Sequence, residues 1–170
     1  MKNKYLLISI LILILLIIIY VLYNINVLNN YTSSFFEVDF NKEWNQIASN
    51  KQSLILQNEN GSIIQMIGKK LTISNEKPIE DTYFDIEEEF QKENKDYSLI
   101  NIYSTKVGKK YQEAAEYLYE YNDYQTLLII ILKKDAVIEI TYTAHNQYFD
   151  FDLIEFYQVL NTLQINGETI

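Results

Sequence analysis

Residues Tyr5 to Tyr23 form an unbroken stretch of 19 residues in which Ser9 is the only non-aromatic polar member. As a helix rising about 1.5 Å per residue, the stretch would be roughly 28 Å long, close to the ~30 Å hydrocarbon core of a bilayer. Lys2 and Lys4 precede it, and no lysine follows until Lys42. The positive-inside rule then puts the N-terminus in the cytoplasm and the remainder of the chain outside. Tyr5, Tyr20 and Tyr23 sit near the two ends, where amphipathic rings favour the headgroup level. A cleaved signal peptide is the rival reading, but the run is longer than the usual apolar region of about 7–15 residues. No alanine occurs before Ala48 to build a small-residue cleavage site, and no cysteine exists to carry a lipid. The expectation is a single-pass cell-membrane protein with residues 1–23 as an uncleaved anchor. Residues 24–34 (NINVLNNYTSS) read as a polar tether, and 35–170 as one extracytoplasmic domain.

Charge is distributed as unevenly as hydropathy. All 23 acidic residues lie at or beyond Glu37, against 12 lysines in the same region, which leaves the outer domain at −11. A surface of that sign repels phosphate, so nucleic acid is not expected as a partner. The 14 basic residues are all lysine, which removes the bidentate fork normally used on phosphate and guanine edges. The absence of cysteine excludes disulfides, thiolate metal sites and cysteine nucleophiles. The acidity reads first as solubility and second as attraction for cations or a basic partner.

The outer domain reads as a series of strands punctuated by two helices. Phe36, Val38 and Phe40 alternate in FFEVDF, as in a half-buried strand. Ser53–Glu59 and Ser62–Ile67 bracket Asn60-Gly61, the residue pair that supplies two positive φ angles in a tight hairpin turn. Pro78 opens a helix over 79–93, with Ile79, Tyr83, Ile86 and Phe90 as its apolar stripe. Four strands follow at 98–105, 113–121, 124–133 and 136–143. The third contains LLIIIL, apolar on both faces, and is expected at the centre of a sheet. Asp152 and Glu155 form a capping-box pattern for a closing helix over 152–163, with Leu153, Ile154, Tyr157, Leu160 and Leu163 as its buried stripe. The fold class is α+β, an antiparallel β-sheet flanked by two helices and preceded by the transmembrane helix.

Three stretches carry a resemblance to a known family. They are FFEVDFNKEW (Phe35 to Trp44), KVGKKYQEAAEYLYEY (Lys106 to Tyr121) and AVIEITYTAHNQYFD (Ala136 to Asp150), the last running straight into the final helix. Over about residues 35–165 the chain resembles the PsbP-like superfamily, which includes photosystem luminal proteins and a Ran-binding nuclear transport factor. The resemblance implies an α-β-α sandwich and a role in binding or assembly rather than catalysis.

Candidate site residues are few. His145, the only histidine, lies near Asp150 and Asp152 in sequence and would be a divalent-metal candidate with them, though one imidazole and scattered carboxylates are a thin ligand set. The bland alternative for His145 is a loop residue or helix cap. Tyr117, Tyr119 and Tyr121 share one strand face, opposite Glu116, Leu118 and Glu120. Their rings either cover the core beneath a helix or present an aromatic binding surface. Trp44 stands between the same alternatives. Glu87, Glu88 and Glu89 radiate around a helix rather than converge. No G-x-S-x-G, H-E-x-x-H or phosphate-loop motif occurs, and no cofactor is implied. The leading expectation is a membrane-anchored binding or assembly module for an unidentified protein partner, non-enzymatic. The alternative is a cation-dependent enzyme or cation-binding sensor using the acidic surface.

Overall fold

The computed structural model describes residues 12–16, 28–71 and 79–166. Residues 12–16 are helical and exposed. Among the described residues no helix is long and apolar enough to cross a membrane. Most of the expected anchor, and Pro78, lie outside the described residues.

The domain is α+β. Its strands are β1 (Asn29–Thr32), β2 (Phe36–Phe40), β3 (Asn45–Ser49), β4 (Ser53–Gln57) and β5 (Ile63–Lys70), then helix α1 (Ile79–Glu93). Four long strands follow, β6 (Ser98–Val107), β7 (Gln112–Tyr121), β8 (Tyr124–Lys133) and β9 (Ala136–His145), before helix α2 (Asn146–Thr162) and β10 (Gln164–Ile165). Seven of them form an antiparallel sheet in the order β3-β4-β5-β9-β8-β7-β6. The remaining three form a small sheet, β1-β2-β10.

Strand β8 shows why the large sheet is covered on both sides. Leu127, Ile129 and Ile131 point into one core with Phe36, Trp44, Tyr142 and Phe156, where α2 and the small sheet pack. Leu128, Ile130 and Leu132 point into a second core under α1, shared with Tyr117, Tyr119 and Ile86. A strand buried on both faces has no room for polar alternation, and the sequence LLIIIL has none. Helix α1 occupies the expected span. Ile86 is buried, and Ile79, Tyr83 and Phe90 are half-buried against the same cluster.

The structure departs from the sequence reading at several points. Asn29–Thr32, inside the expected tether, is a strand paired with β2. It is held there by Tyr31, whose buried side chain sends its hydroxyl to the carbonyls of Asn50 and Ser53. The β4–β5 hairpin is present, but only Gly61 of the Asn60-Gly61 pair has a positive φ, +82°. The Gly61 N–H bonds to the Asn58 carbonyl, and Asn58 N–H bonds to the Ser62 carbonyl. That is a three-residue loop with the glycine as its left-handed residue, not the two-residue turn expected. Asn58 enforces it, because its side-chain oxygen accepts from the N–H groups of both Asn60 and Ser62. Strands β3 and β10 were not anticipated. Every residue of β3 is exposed, so no apolar alternation marks it.

The closing helix begins at Asn146 rather than Asp152. His145 is its cap, with the ring nitrogen Nδ1 accepting from the Gln147 N–H at 3.3 Å. Asp152 is therefore an internal helix residue and is fully buried. Gly108, with φ +74°, turns β6 into β7 against the end of α2, where Lys109 N–H bonds to the Leu163 carbonyl at 2.9 Å. A Cβ at Gly108 would stand 2.6 Å from that same oxygen, so both the backbone angle and the close approach require glycine.

Candidate functional site

The residues singled out from sequence fall in three places. Tyr117 and Tyr119 lie under α1, with Tyr119 at 0 % exposure. Its ring is 5.1 Å from Phe90, and its hydroxyl donates to Glu87 Oε1 at 2.6 Å. Burial, reinforced by the Glu87 carboxylate, raises the Tyr119 hydroxyl pKa well above the ordinary tyrosine value. Tyr121 is half-buried and stacks on Tyr97 at 5.2 Å. Of the two readings of the ladder, the structure places Tyr117 and Tyr119 in the core. Trp44 is likewise buried, and its Nε1 finds no hydrogen-bond partner among the described residues.

His145, Asp150 and Asp152 are not brought together. His145 caps α2, and Asp150 is exposed. Both oxygens of Asp152 are engaged by the β4–β5 loop, one by the Asn60 amide at 2.8 Å and the other by the Ser62 hydroxyl at 2.5 Å. Among the described residues no group of three His, Cys, Asp or Glu side chains is arranged to hold a metal ion. The three residues are near in sequence, but two of them serve the fold. Asp152 pins a hairpin to a helix, which is why it sits buried rather than at a helix start.

Two surface features were not found from sequence. The first is an acidic cleft of about 410 Å³ lined by Glu43, Glu59, Asn60, Asp152 and Glu155, with Lys42 at the same opening. Burial, the neighbouring Glu43 carboxyl, and the charges of Asp152 and Glu59 push Glu155 up to about 7. Glu43 follows β2, Glu59 belongs to the β4–β5 loop and Glu155 to α2, so no local spacing links them. The unfolded chain releases this proton near the ordinary value of 4.5, and the folded chain holds it to about 7. A proton held more tightly by the fold contributes stability that is lost as pH rises through that interval. Urea midpoints are therefore expected to fall between about pH 5 and about pH 8, and Glu155→Gln is expected to flatten the fall. An unchanged pH profile in that variant would reject the assignment.

The second feature is the outer strand of the large sheet. β6 ends the strand order, and Leu99, Ile100, Ile102 and Tyr103 are all exposed, as is Phe84 on α1. The register pairs Leu99 with Tyr119 and Ile102 with Tyr117, so Leu99 and Ile102 lie on the face that α1 covers. Helix α1 packs over β7, β8 and β9 through Tyr117, Tyr119, Leu128, Ile130 and Val137, and it stops short of β6. The gap is a groove of about 410 Å³ whose walls include Tyr83, Phe84, Ile102 and Tyr103, with Glu80 and Glu113 also lining it.

Comparison with solved structures settles the architecture. Cyanobacterial PsbP (CyanoP) from Synechocystis sp. PCC 6803 superposes with a TM-score of 0.60 at 16% identity, covering 82% of this chain and 92% of that one. The fold is PsbP-like. A Pseudomonas aeruginosa protein of unknown function matches with a TM-score of 0.50 at 14% identity, covering 82% of this chain and 98% of the other. No protein-family profile matches the sequence, and no curated protein does. At such identities the PsbP-like likeness speaks for the fold alone, and a site has to be argued from this chain's own residues. In this PsbP-like domain the stretch 106–121 supplies the turn at Gly108 and strand β7, and 136–150 supplies β9 and the start of α2.

Proposed function

We propose that the protein is a membrane-anchored extracytoplasmic module that binds or assembles with a protein partner, without catalysis. The observation that carries this reading is the exposed apolar edge formed by β6 and Phe84. Monomeric surfaces rarely leave contiguous apolar side chains beside an open strand edge unless another chain meets them. The apolar stretch 5–23, with Lys2 and Lys4 before it, supports the anchor and its orientation.

Two measurements test the reading. Protease added outside intact cells or protoplasts is expected to digest the domain and spare the anchor. Protection of the domain, or its release without residues 1–23, would sink the anchored topology. Crosslinking and pull-down from the native membrane is expected to recover a partner with the wild-type chain and to lose it with Ile102→Lys, after that variant is shown to fold. Equal recovery by both would remove β6 as the binding surface.

A further inference from the structure

The groove beside β6 has a chemistry narrow enough to describe what it accepts. Resting on the reading of the chain as a binding module, we propose that an extended polypeptide segment adds to β6 as an eighth strand. It seats an apolar side chain in the groove and carries lysine or arginine beside that anchor.

The backbone is the first argument. Among the described residues no strand pairs with the outer side of β6. Sheet edges are usually blunted by charge or proline, yet residues 98–105 contain neither. The first charged residue is Lys106, near the strand's end. A register shift between Leu99 and Asn101 is the one irregularity in the pairing of β6 with β7. Beside it, the Ile102 N–H is met by the side-chain oxygen of Asn101 at 2.9 Å. That exposed side chain stands where a neighbouring strand's carbonyl could accept from the same N–H instead, and rotating it away costs little.

The groove is the second argument. Phe84 is 60 % exposed and Ile102 is 48 % exposed, although both line one depression between α1 and the sheet. A side chain entering there from an added strand would cover apolar surface that the monomer leaves wet. Strand addition works in this way, with main-chain bonds giving affinity and a pocket for alternate side chains giving specificity.

Charge selects the occupant. Among the described residues Glu80 and Glu113 line the groove and no lysine does. Glu113 has only a 3.9 Å contact with Lys106, on a strongly exposed side chain. The outer domain carries −11 in all. A second copy would bring the same carboxylates against themselves, whereas a cationic segment neutralises them, and rim charges of this kind steer partner choice.

The test uses the full chain in lipid nanodiscs and three fluorescent peptides of about twelve residues. One alternates valine and threonine with lysine at both ends, one has glutamate at both ends, and one is the lysine peptide N-methylated on alternate amides. The lysine-ended peptide is expected to bind about tenfold more tightly than the glutamate-ended one, the effect of two exposed ion pairs. The N-methylated peptide is expected not to bind, and slowed amide exchange is expected to be confined to β6. Glu80→Lys with Glu113→Lys is expected to reverse the preference. Equal affinity for the two charged peptides would overturn the proposal, and so would protection on another element. Protection of β6 before any peptide is added would overturn it in favour of a segment of this chain. Protection rising with protein concentration would overturn it in favour of a second copy. If the peptides fail while partner recovery still depends on Ile102, the cationic strand is rejected and the binding module stands. If neither depends on Ile102, both fall.

Discussion

Replacing Tyr119 by alanine is expected to destabilise the domain by about 3–5 kcal/mol, the range for truncating a large aromatic side chain in a core. The ring is fully buried between β7 and α1, beside Phe90, and its removal leaves space that the half-buried Tyr83 and Phe90 can fill only in part. Tyr119→Phe separates the ring from the hydroxyl. It keeps the packing but leaves the buried Glu87 carboxylate without the donor now 2.6 Å away. A hydrogen bond to a charged group contributes about 1.5–3 kcal/mol, so this variant should fall between wild type and alanine. Urea denaturation of the three proteins checks the order. An alanine variant within about 1 kcal/mol of wild type would mean that α1 does not rest on this ring. The folded phenylalanine variant should still recover the partner, because the surface proposed for binding is β6 and not the ladder.

Asp152→Ala should be the second large loss, roughly 2–4 kcal/mol at mildly acidic pH. It removes an acceptor shared by the Asn60 amide and the Ser62 hydroxyl, and so releases the β4–β5 loop from α2. The same change removes one of the charges that raise Glu155. Relief of that repulsion matters only where Glu155 is ionised. The loss should therefore be larger near about pH 5 than near about pH 8, and the Glu155 titration should move down. Carbon-detected NMR of the Glu155 carboxyl, alongside denaturation at the two pH values, reads both effects. A Glu155 midpoint unmoved by the substitution would show that Asp152 does not act on it.

How far the fold could be read depended on whether the determining forces were local. The span of α1 was legible because Ile79, Tyr83, Ile86 and Phe90 repeat at helical spacing against a single core. The two-faced burial of β8 was legible because LLIIIL leaves no solvent face. The start of α2 was not, because an acidic residue three positions before a glutamate reads as a cap whether it lies at a helix end or inside a helix. Only the hydrogen bonds from Asn60 and Ser62, some ninety residues earlier in the chain, distinguish the two cases for Asp152. Strand β3 escaped because its stability lies in pairing with β4 and not in any buried side chain. The surface features were the least legible. Glu43, Glu59 and Glu155 come from three separate elements, and nothing within Ser98–Val107 says that this strand is outermost. That property belongs to the strand order alone.

Under the proposed anchoring, strand β1 sets how far the domain can stand from the bilayer. With residues 24–34 as a free leash from the bilayer, the domain could stand roughly 40 Å from the last anchor residue. Because Asn29 already belongs to the small sheet, only residues 24–28 separate the folded body from Tyr23. Fully extended, that link reaches roughly 20 Å, about half the free length. An anchored domain would then be confined to a shallow layer above the headgroups, with limited freedom to tumble. Tension drawn through the leash would be delivered first to the four-residue ladder of β1 with β2 and to the hydroxyl of Tyr31. In such a protein the orientation of β6 relative to the bilayer becomes a property of the fold, and a captured segment would be presented at a set height.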